Sequence, residues 1–316
     1  MEHHHHHHVH PTPDMQKLNR SFIVGIVLNI VFVLAEAGAG FYYDSLALLS
    51  DAGHNLSDVV SLVLAMFALR LSMAKPSLQY TYGYKKSTVL VSLLNAAILF
   101  VAVAVILYES VEKFSNPTPL DGGAIAWVAA IGIVINAFTA YLFFADKSKD
   151  LNVKGAYLHM AADTLVSVGV LVSGIVIKYT RWNVIDPIIG IVVGLVILYS
   201  TWHLLQESLR LALDGVPEGI DAQKVETVLS SDPDVLNVHH LHIWAISTTQ
   251  TALTAHIVVK DITHMHEVKH RLKHDLQDLG IEHATLELEL KEEHCDGHCD
   301  CCEEQQGCDS DTQPYL

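Results

Sequence analysis

Six apolar segments, at residues 22–43, 46–69, 88–111, 122–145, 155–178 and 184–206, constrain this chain more than any other feature. Each is about long enough to cross a hydrocarbon layer of roughly 30 Å as a helix. In that layer only helices and closed barrels satisfy their own backbone polar groups. The pattern predicts an α-helical membrane protein with a six-helix transmembrane domain. No cleavable leader is expected ahead of the first segment, whose apolar run is too long and lacks a small-residue cleavage site. Lys and Arg set the expected orientation. Lys17 and Arg20 precede the first segment; Arg70, Lys75, Lys85 and Lys86 lie between the second and third; Lys147, Lys149 and Lys154 lie between the fourth and fifth. The intervening loops hold only Lys113, Lys178 and Arg181. Both termini are therefore expected on the cytoplasmic side.

The pattern changes from about residue 207. A helical stretch near 220–230 is followed by strand-like runs at 235–246 and 251–260, a helix at about 264–279 and a strand at 283–290. That αββαβ order predicts a small α+β sandwich with helices on one face of a sheet. Residues 1–206 carry 13 acids against 12 bases, and residues 207–316 carry 22 against 7. So acidic a domain repels nucleic acid and anionic lipid and favours metal cations. The expected organisation is an N-terminal cytoplasmic segment (1–20), a transmembrane transport domain (21–206), a cytoplasmic metal-binding domain (207–292) and a flexible acidic tail (293–316). All five cysteines fall in that tail, within 295–308. An odd, clustered set reads as thiols in a reducing compartment, not a disulfide framework. Thiolates and imidazoles at that density suit capture of soft or borderline ions. The run His3 to His8 is either an expression tag or a native metal-collecting segment.

The residues that carry chemistry lie inside the apolar segments. The second contains His54-Asn55-Leu56-Ser57-Asp58 and the fifth His159-Met160-Ala161-Ala162-Asp163. Residues four apart project from one helix face, one turn from each other. An ionisable group at the bilayer centre costs about 3 kcal/mol or more, so an unpaired one is hard to sustain. Two such helices can supply two imidazole nitrogens and two carboxylate oxygens to one ion, a set that suits tetrahedral Zn²⁺. The bland reading, a polar network between helices, would explain one such pair; two equivalent pairs in nonadjacent segments favour a metal site. Asp51, one turn before His54, is a candidate to attract ions or accept protons, against a solvated interfacial carboxylate. Glu36 is either part of a proton path or a helix-packing hydrogen bond. Asn29, Asn95 and Asn136 read as interhelical glue.

These segments, with Ser45-Leu-Ala-Leu-Leu-Ser-Asp51-Ala-Gly-His54, Asn152-Val-Lys-Gly-Ala-Tyr-Leu-His159 and Val238-His-His-Leu-His-Ile-Trp244, resemble the cation diffusion facilitators. The match is closest to the bacterial zinc/cobalt/cadmium efflux branch, which is also similar to animal zinc transporters. The resemblance covers roughly residues 15–292. It implies proton-coupled efflux of zinc, with cadmium and cobalt as further substrates, by a homodimer in the bacterial inner membrane with ferredoxin-like cytoplasmic domains. It assigns transport-site ligation to His54, Asp58, His159 and Asp163. It also implies a cytoplasmic zinc site at His239, His256 and Glu289 and an inter-subunit pair between Lys86 and Asp214; from the tail, the thiols of Cys295 and Cys299 are candidate further donors to that zinc site.

From the residues alone, His239, His240 and His242 in the first strand, His256 in the second, and Glu287 and Glu289 in the third are all ligand candidates. Strand alternation puts His239 on one face with Leu241 and Ile243, which leaves His240 as an alternative. His266, His270 and His274 recur every four residues and read as a solvated helix stripe. An enzyme is not expected: His-Glu-x-x-His is absent, and four protein ligands leave no position for an activated water. A channel would trap an ion held by four ligands unless protons displaced it. The remaining alternative is a membrane-bound metal sensor that binds without transport.

Overall fold

Six long helices occupy the six apolar segments: α1 (Met15–Tyr42), α2 (Leu46–Ser72), α3 (Ser87–Ser115), α4 (Ala124–Phe144), α5 (Leu151–Thr180) and α6 (Ile185–Ala212). The computed structural model describes residues 15–42, 46–115, 124–180 and 184–291. Several helices outrun the apolar windows, because hydropathy marks only where water is excluded, whereas backbone hydrogen bonding continues into polar flanks. Among the described residues, α1, α3 and α6 carry stretches long and apolar enough to cross a membrane. In α2 and α5 polar residues interrupt the apolar run, and those two helices carry the site.

The described residues divide into two compact units, one of 15–215 together with Ala245–Thr249, the other of Val216–Trp244 and 250–291. In the helical unit α3 packs along α6, α4 along α5 and α1 along α2. α5 is central. Val153 and Met160 join Phe22, Leu62 and Phe143 in one buried cluster, while Ala162 joins Leu99, Val103 and Ile197 in another. Leu34, Val101, Val134 and Val196 point outward and are exposed, as a lipid-facing surface requires. The close fit of α6 on α3 comes from Gly190 and Gly194, a small-xxx-small spacing. A methyl group at Gly194 would lie 2.6 Å from a Leu107 methyl, so a side chain there would force the helices apart.

The start of α5 is held firmly. Asp150, buried just before the helix, accepts hydrogen bonds from the backbone N–H groups of Asn152 (2.7 Å) and Val153 (3.2 Å) and from the Thr248 hydroxyl. That is an N-cap, which satisfies donors the helix itself leaves unpaired. Burial holds the Asp150 carboxyl above its usual range despite those bonds. Asn152 in turn donates to Thr88 O (3.0 Å), tying α5 to α3.

Lys86 and Asp214, a pair between subunits by resemblance, meet within one chain, Nζ to Oδ1 2.5 Å. Because α3 and α6 pack side by side, the residues flanking their adjacent ends are neighbours. Asp214 has a left-handed backbone (φ 57) just beyond α6, and Gly215 N–H donates back to Arg210 O at 2.8 Å. That closing turn leaves Leu211 O at the helix end, where Lys86 Nζ donates to it (3.0 Å) and to Ala245 O (3.1 Å). A cation at a helix C-terminus also complements the helix dipole.

The second unit contains α7 (Ala222–Ser230), β1 (Val235–Ala245), β2 (Thr251–Val259), α8 (Met265–Asp278) and β3 (His283–Leu290). This matches the expected αββαβ order. The sheet order is β1-β2-β3, with β2 parallel to β3 in a register that sets His256 beside Glu287 and Val258 beside Glu289. Val225 and Leu229 of α7 and Val268, Leu272 and Leu276 of α8 bury against Leu253, Ala255, Ile257 and Leu286 of the sheet. His256, Glu287 and Glu289 alternate with those core residues and therefore stand on the opposite face.

β1 departs from simple alternation. His240 has a left-handed backbone (φ 51), and burial along the strand switches phase there, from Val238 to Ile243 and Ala245. An extra residue of that kind in a strand resets the two-residue period. His239 is thereby released from the face of Leu241 and Ile243, contrary to the alternation argument.

Arg271 of α8 holds the entry to β1, donating to Asp232 (2.8 and 2.9 Å) and Asp234 (2.7 Å). Those bonds keep the Asp232 carboxyl below its usual range. The stability contributed is present above the unfolded carboxylate range, about 3.9, and is lost as pH falls through the lower folded value. Arg271→Ala should therefore lower the melting temperature near neutrality and flatten its decline below about pH 4. Thermal melts of parent and variant across that range check this; parallel declines would show that the pair contributes nothing.

Candidate metal centre

Asp58 of α2 and His159 and Asp163 of α5 converge between the two helices. Asp58 and His159 are buried, and Asp163 is half-buried. His159 Nε2 lies 2.5 Å from Asp58 Oδ1 and 3.9 Å from Asp163 Oδ2. One ligand atom from each residue falls within 4.8 Å of the other two. Tetrahedral Zn²⁺ with N and O ligands at about 2.0–2.2 Å would need its ligand atoms roughly 3.3 Å apart. Asp58 Oδ2 is buried and has no hydrogen-bond partner among the described residues. A buried carboxylate oxygen left without a donor suits a group that accepts a cation.

His54 lies on α2 one turn before Asp58, and Asp51 one turn before that, but both side chains fall outside the described residues. Two of the other intramembrane candidates have definite places. Glu36 is buried and accepts a hydrogen bond from Asn55 Nδ2 at 2.8 Å, which joins α1 to α2 next to the site. Asn29 donates to Gly25 O (2.9 Å) and Thr139 Oγ1 (3.4 Å), a link from α1 to α4.

Asp58 and His159 line a cavity together with Ser61, Leu62, Asn95 and the Gly155–Ala156 step. Ser61 and Leu62 follow Asp58 along α2, while Gly155 and Ala156 precede His159 along α5. The cavity therefore extends from the carboxylate–imidazole pair toward the Arg70 end of α2 and the Lys154 end of α5. Asn95 was expected only as interhelical glue. It does donate to Ser61 O, at a long 3.4 Å, yet it also faces the cavity. Its depth was readable: Asn95 is eight residues into α3 and His159 eight into α5, the same rise of about 12 Å.

A second cluster stands on the outer face of the sheet. Glu289 bridges two imidazoles, with Oε2 3.3 Å from His239 Nε2 and Oε1 hydrogen-bonded to His256 Nδ1. His256 Nε2 is 3.4 Å from Glu287 Oε2. The His240 ring lies 5.0 Å from that of His239 and 4.9 Å from that of His256, centroid to centroid. Its left-handed backbone turns it into the cluster beside His239, so both histidines face the same carboxylate. Burial, followed by the neighbouring imidazoles, lowers the His240 pKa, which favours the neutral form that ligates metal. His242 is exposed, as are His266, His270 and His274 on the outer face of α8. Cys295 and Cys299 lie outside the described residues.

Residues 22–211 match the cation efflux transmembrane domain, and residues 217–290 the cation efflux protein cytoplasmic domain. The chain is 33% identical over 284 residues to the cadmium, cobalt and zinc/H(+)-K(+) antiporter of Bacillus subtilis, which covers 88% of this chain and 91% of that protein. It is 36% identical over 273 residues to the metal cation efflux system protein CzcD of Cupriavidus metallidurans, covering 86% of each. It is 34% identical over 267 residues to the zinc transporter ZitB of Escherichia coli, covering 83% of this chain and 85% of that one. An integral membrane domain that gathers carboxylates and an imidazole between two helices, matched along most of its length by these proteins, belongs to the cation efflux family, the cation diffusion facilitators.

Proposed function

We propose that this protein exports divalent metal ions, zinc foremost and cadmium and cobalt with it, in exchange for protons. The observation that carries this reading is the meeting of Asp58, His159 and Asp163 between α2 and α5. The protein is a transporter and not an enzyme. His54, from its place on α2, supplies the fourth ligand. Alternating access moves the ion: the cavity beside Asp58 and His159 receives it, and the site then opens to the other side, where protons displace it. The six helices span the bilayer with both termini in the cytoplasm, so the cavity lies on the cytoplasmic side. The chain is organised as transport domain (21–206), ferredoxin-like cytoplasmic domain (207–292) and metal-capturing tail (293–316), after an N-terminal segment (1–20). It works as a homodimer, and the bacterial inner membrane is its site. Asp51 and Glu36 serve the ion or proton path.

The test is flux. In sealed proteoliposomes carrying a zinc-sensitive dye, an imposed pH gradient should drive zinc across the membrane, and zinc movement should carry protons the other way. Binding without any flux under a gradient of either sign would make the protein a sensor instead.

The sheet cluster then regulates. Zinc held by His239, His256 and Glu289, with His240 beside them and Cys295 and Cys299 as further donors, would offset part of the acidic charge of this domain and favour close approach of two subunits. His256→Ala should raise the zinc concentration for half-maximal flux several-fold while leaving measurable transport. An unchanged concentration dependence would make the cluster structural.

A further inference from the structure

We infer that Asn95 is a specificity-determining residue of the transport site, one that offers a fifth, oxygen donor to the ion. This rests on the reading of Asp58 and His159 as ligands. Asn95 is buried, and its Oδ1 has no hydrogen-bond partner among the described residues. Its Nδ2 is committed to Ser61 O, which turns the oxygen of the amide away from that bond. The cavity that Asn95 lines is the one lined by Asp58, whose Oδ2 is likewise buried and unpartnered. Two buried acceptor oxygens that no described donor reaches thus belong to residues bordering one small space. In most folded interiors each would have found a partner. An arrangement that leaves both unsatisfied suits a cation or its hydrating water.

Coordination chemistry says what such an oxygen would select. Zn²⁺ is content with four ligands, and two carboxylates with two imidazoles already supply them. Ions that favour higher coordination gain more from an added neutral oxygen, bound directly or through one water. Asn95 would therefore widen the range of accepted ions toward cobalt and cadmium and matter least for zinc. A residue that merely joins α3 to α2 would have no such preference, because loosened packing slows every ion alike.

The experiment compares zinc, cobalt and cadmium flux in proteoliposomes for the parent, Asn95→Leu, Asn95→Ala and Asn95→Asp, with Asp58→Ala alongside. Leu keeps the volume without the oxygen, and Ala opens space. In both, cobalt and cadmium flux should fall at least tenfold relative to zinc, and Asp, which restores an oxygen, should recover the parental ratio. Either apolar variant suffices if the other fails to reach the membrane. An unchanged ratio, or a parallel fall for all three ions, would overturn the inference. Asp58→Ala separates the two readings: full flux there sinks the site itself, whereas loss of flux there with an unchanged ratio in the Asn95 variants sinks only the role of Asn95.

Discussion

Asp58→Ala is expected to reduce zinc flux at least a hundredfold while the protein still folds. Asp58 is the most buried of the three converging ligands, 1% exposed, and its Oδ1 makes the 2.5 Å contact to His159. Removing it takes away one of two carboxylates that together neutralise a divalent ion. The same ion would then sit in a low-dielectric site with a surplus positive charge, where uncompensated charge costs several kcal/mol. A penalty of about 1.4 kcal/mol for each factor of ten puts a hundredfold loss well inside that range. Folding should survive because His159 can turn to Asp163 and share a proton with it, so neither group is left without a partner. Asp163→Ala should follow the same course. Zinc flux in proteoliposomes, with a gel-filtration profile of each variant, makes the measurement. Flux within threefold of the parent would remove Asp58 from the site.

Zinc affinity should also fall steeply with acidification, by about tenfold per pH unit for each proton displaced. The geometry argues for at least one. At 2.5 Å, His159 Nε2 and Asp58 Oδ1 are joined through a hydrogen, and a metal ion needs both lone pairs that this hydrogen now occupies. Zinc and the proton therefore compete for one place. The sign gives the transport direction. On the proposed reading, zinc loads on the less acidic side and is displaced by the proton on the more acidic side. Measured across the range around neutrality, the apparent affinity should be lowest at the acidic end. Zinc added to protein in weakly buffered nanodiscs should acidify the solution, read with a pH dye. His159→Gln, which cannot ionise, should release fewer protons and show a flatter profile. Equal zinc affinity across the range would mean that the drive for export lies elsewhere.

The lengths of six apolar runs determined the helical unit by themselves, because a backbone that leaves water must hydrogen-bond to itself. His159 and Asp163 were legible as one face of α5, since four-residue spacing and helix geometry are both local, and the cost of burying charge pointed to a partner on α2. Period and turn signals likewise gave the αββαβ order. Tertiary structure alone decided the rest. The bulge at His240 redirected His239, because a single left-handed residue resets an alternation that no composition reveals. Lys86 and Asp214, 128 positions apart, meet within one chain because Val89 and Ala96 of α3 and Leu204 and Leu211 of α6 share one buried cluster at that end of the two helices. Asn95 looked like any membrane asparagine until its neighbours were known. Whether a buried amide is packing or part of a site depends on which of its atoms already has a partner, and those partners come from helices far away in the chain.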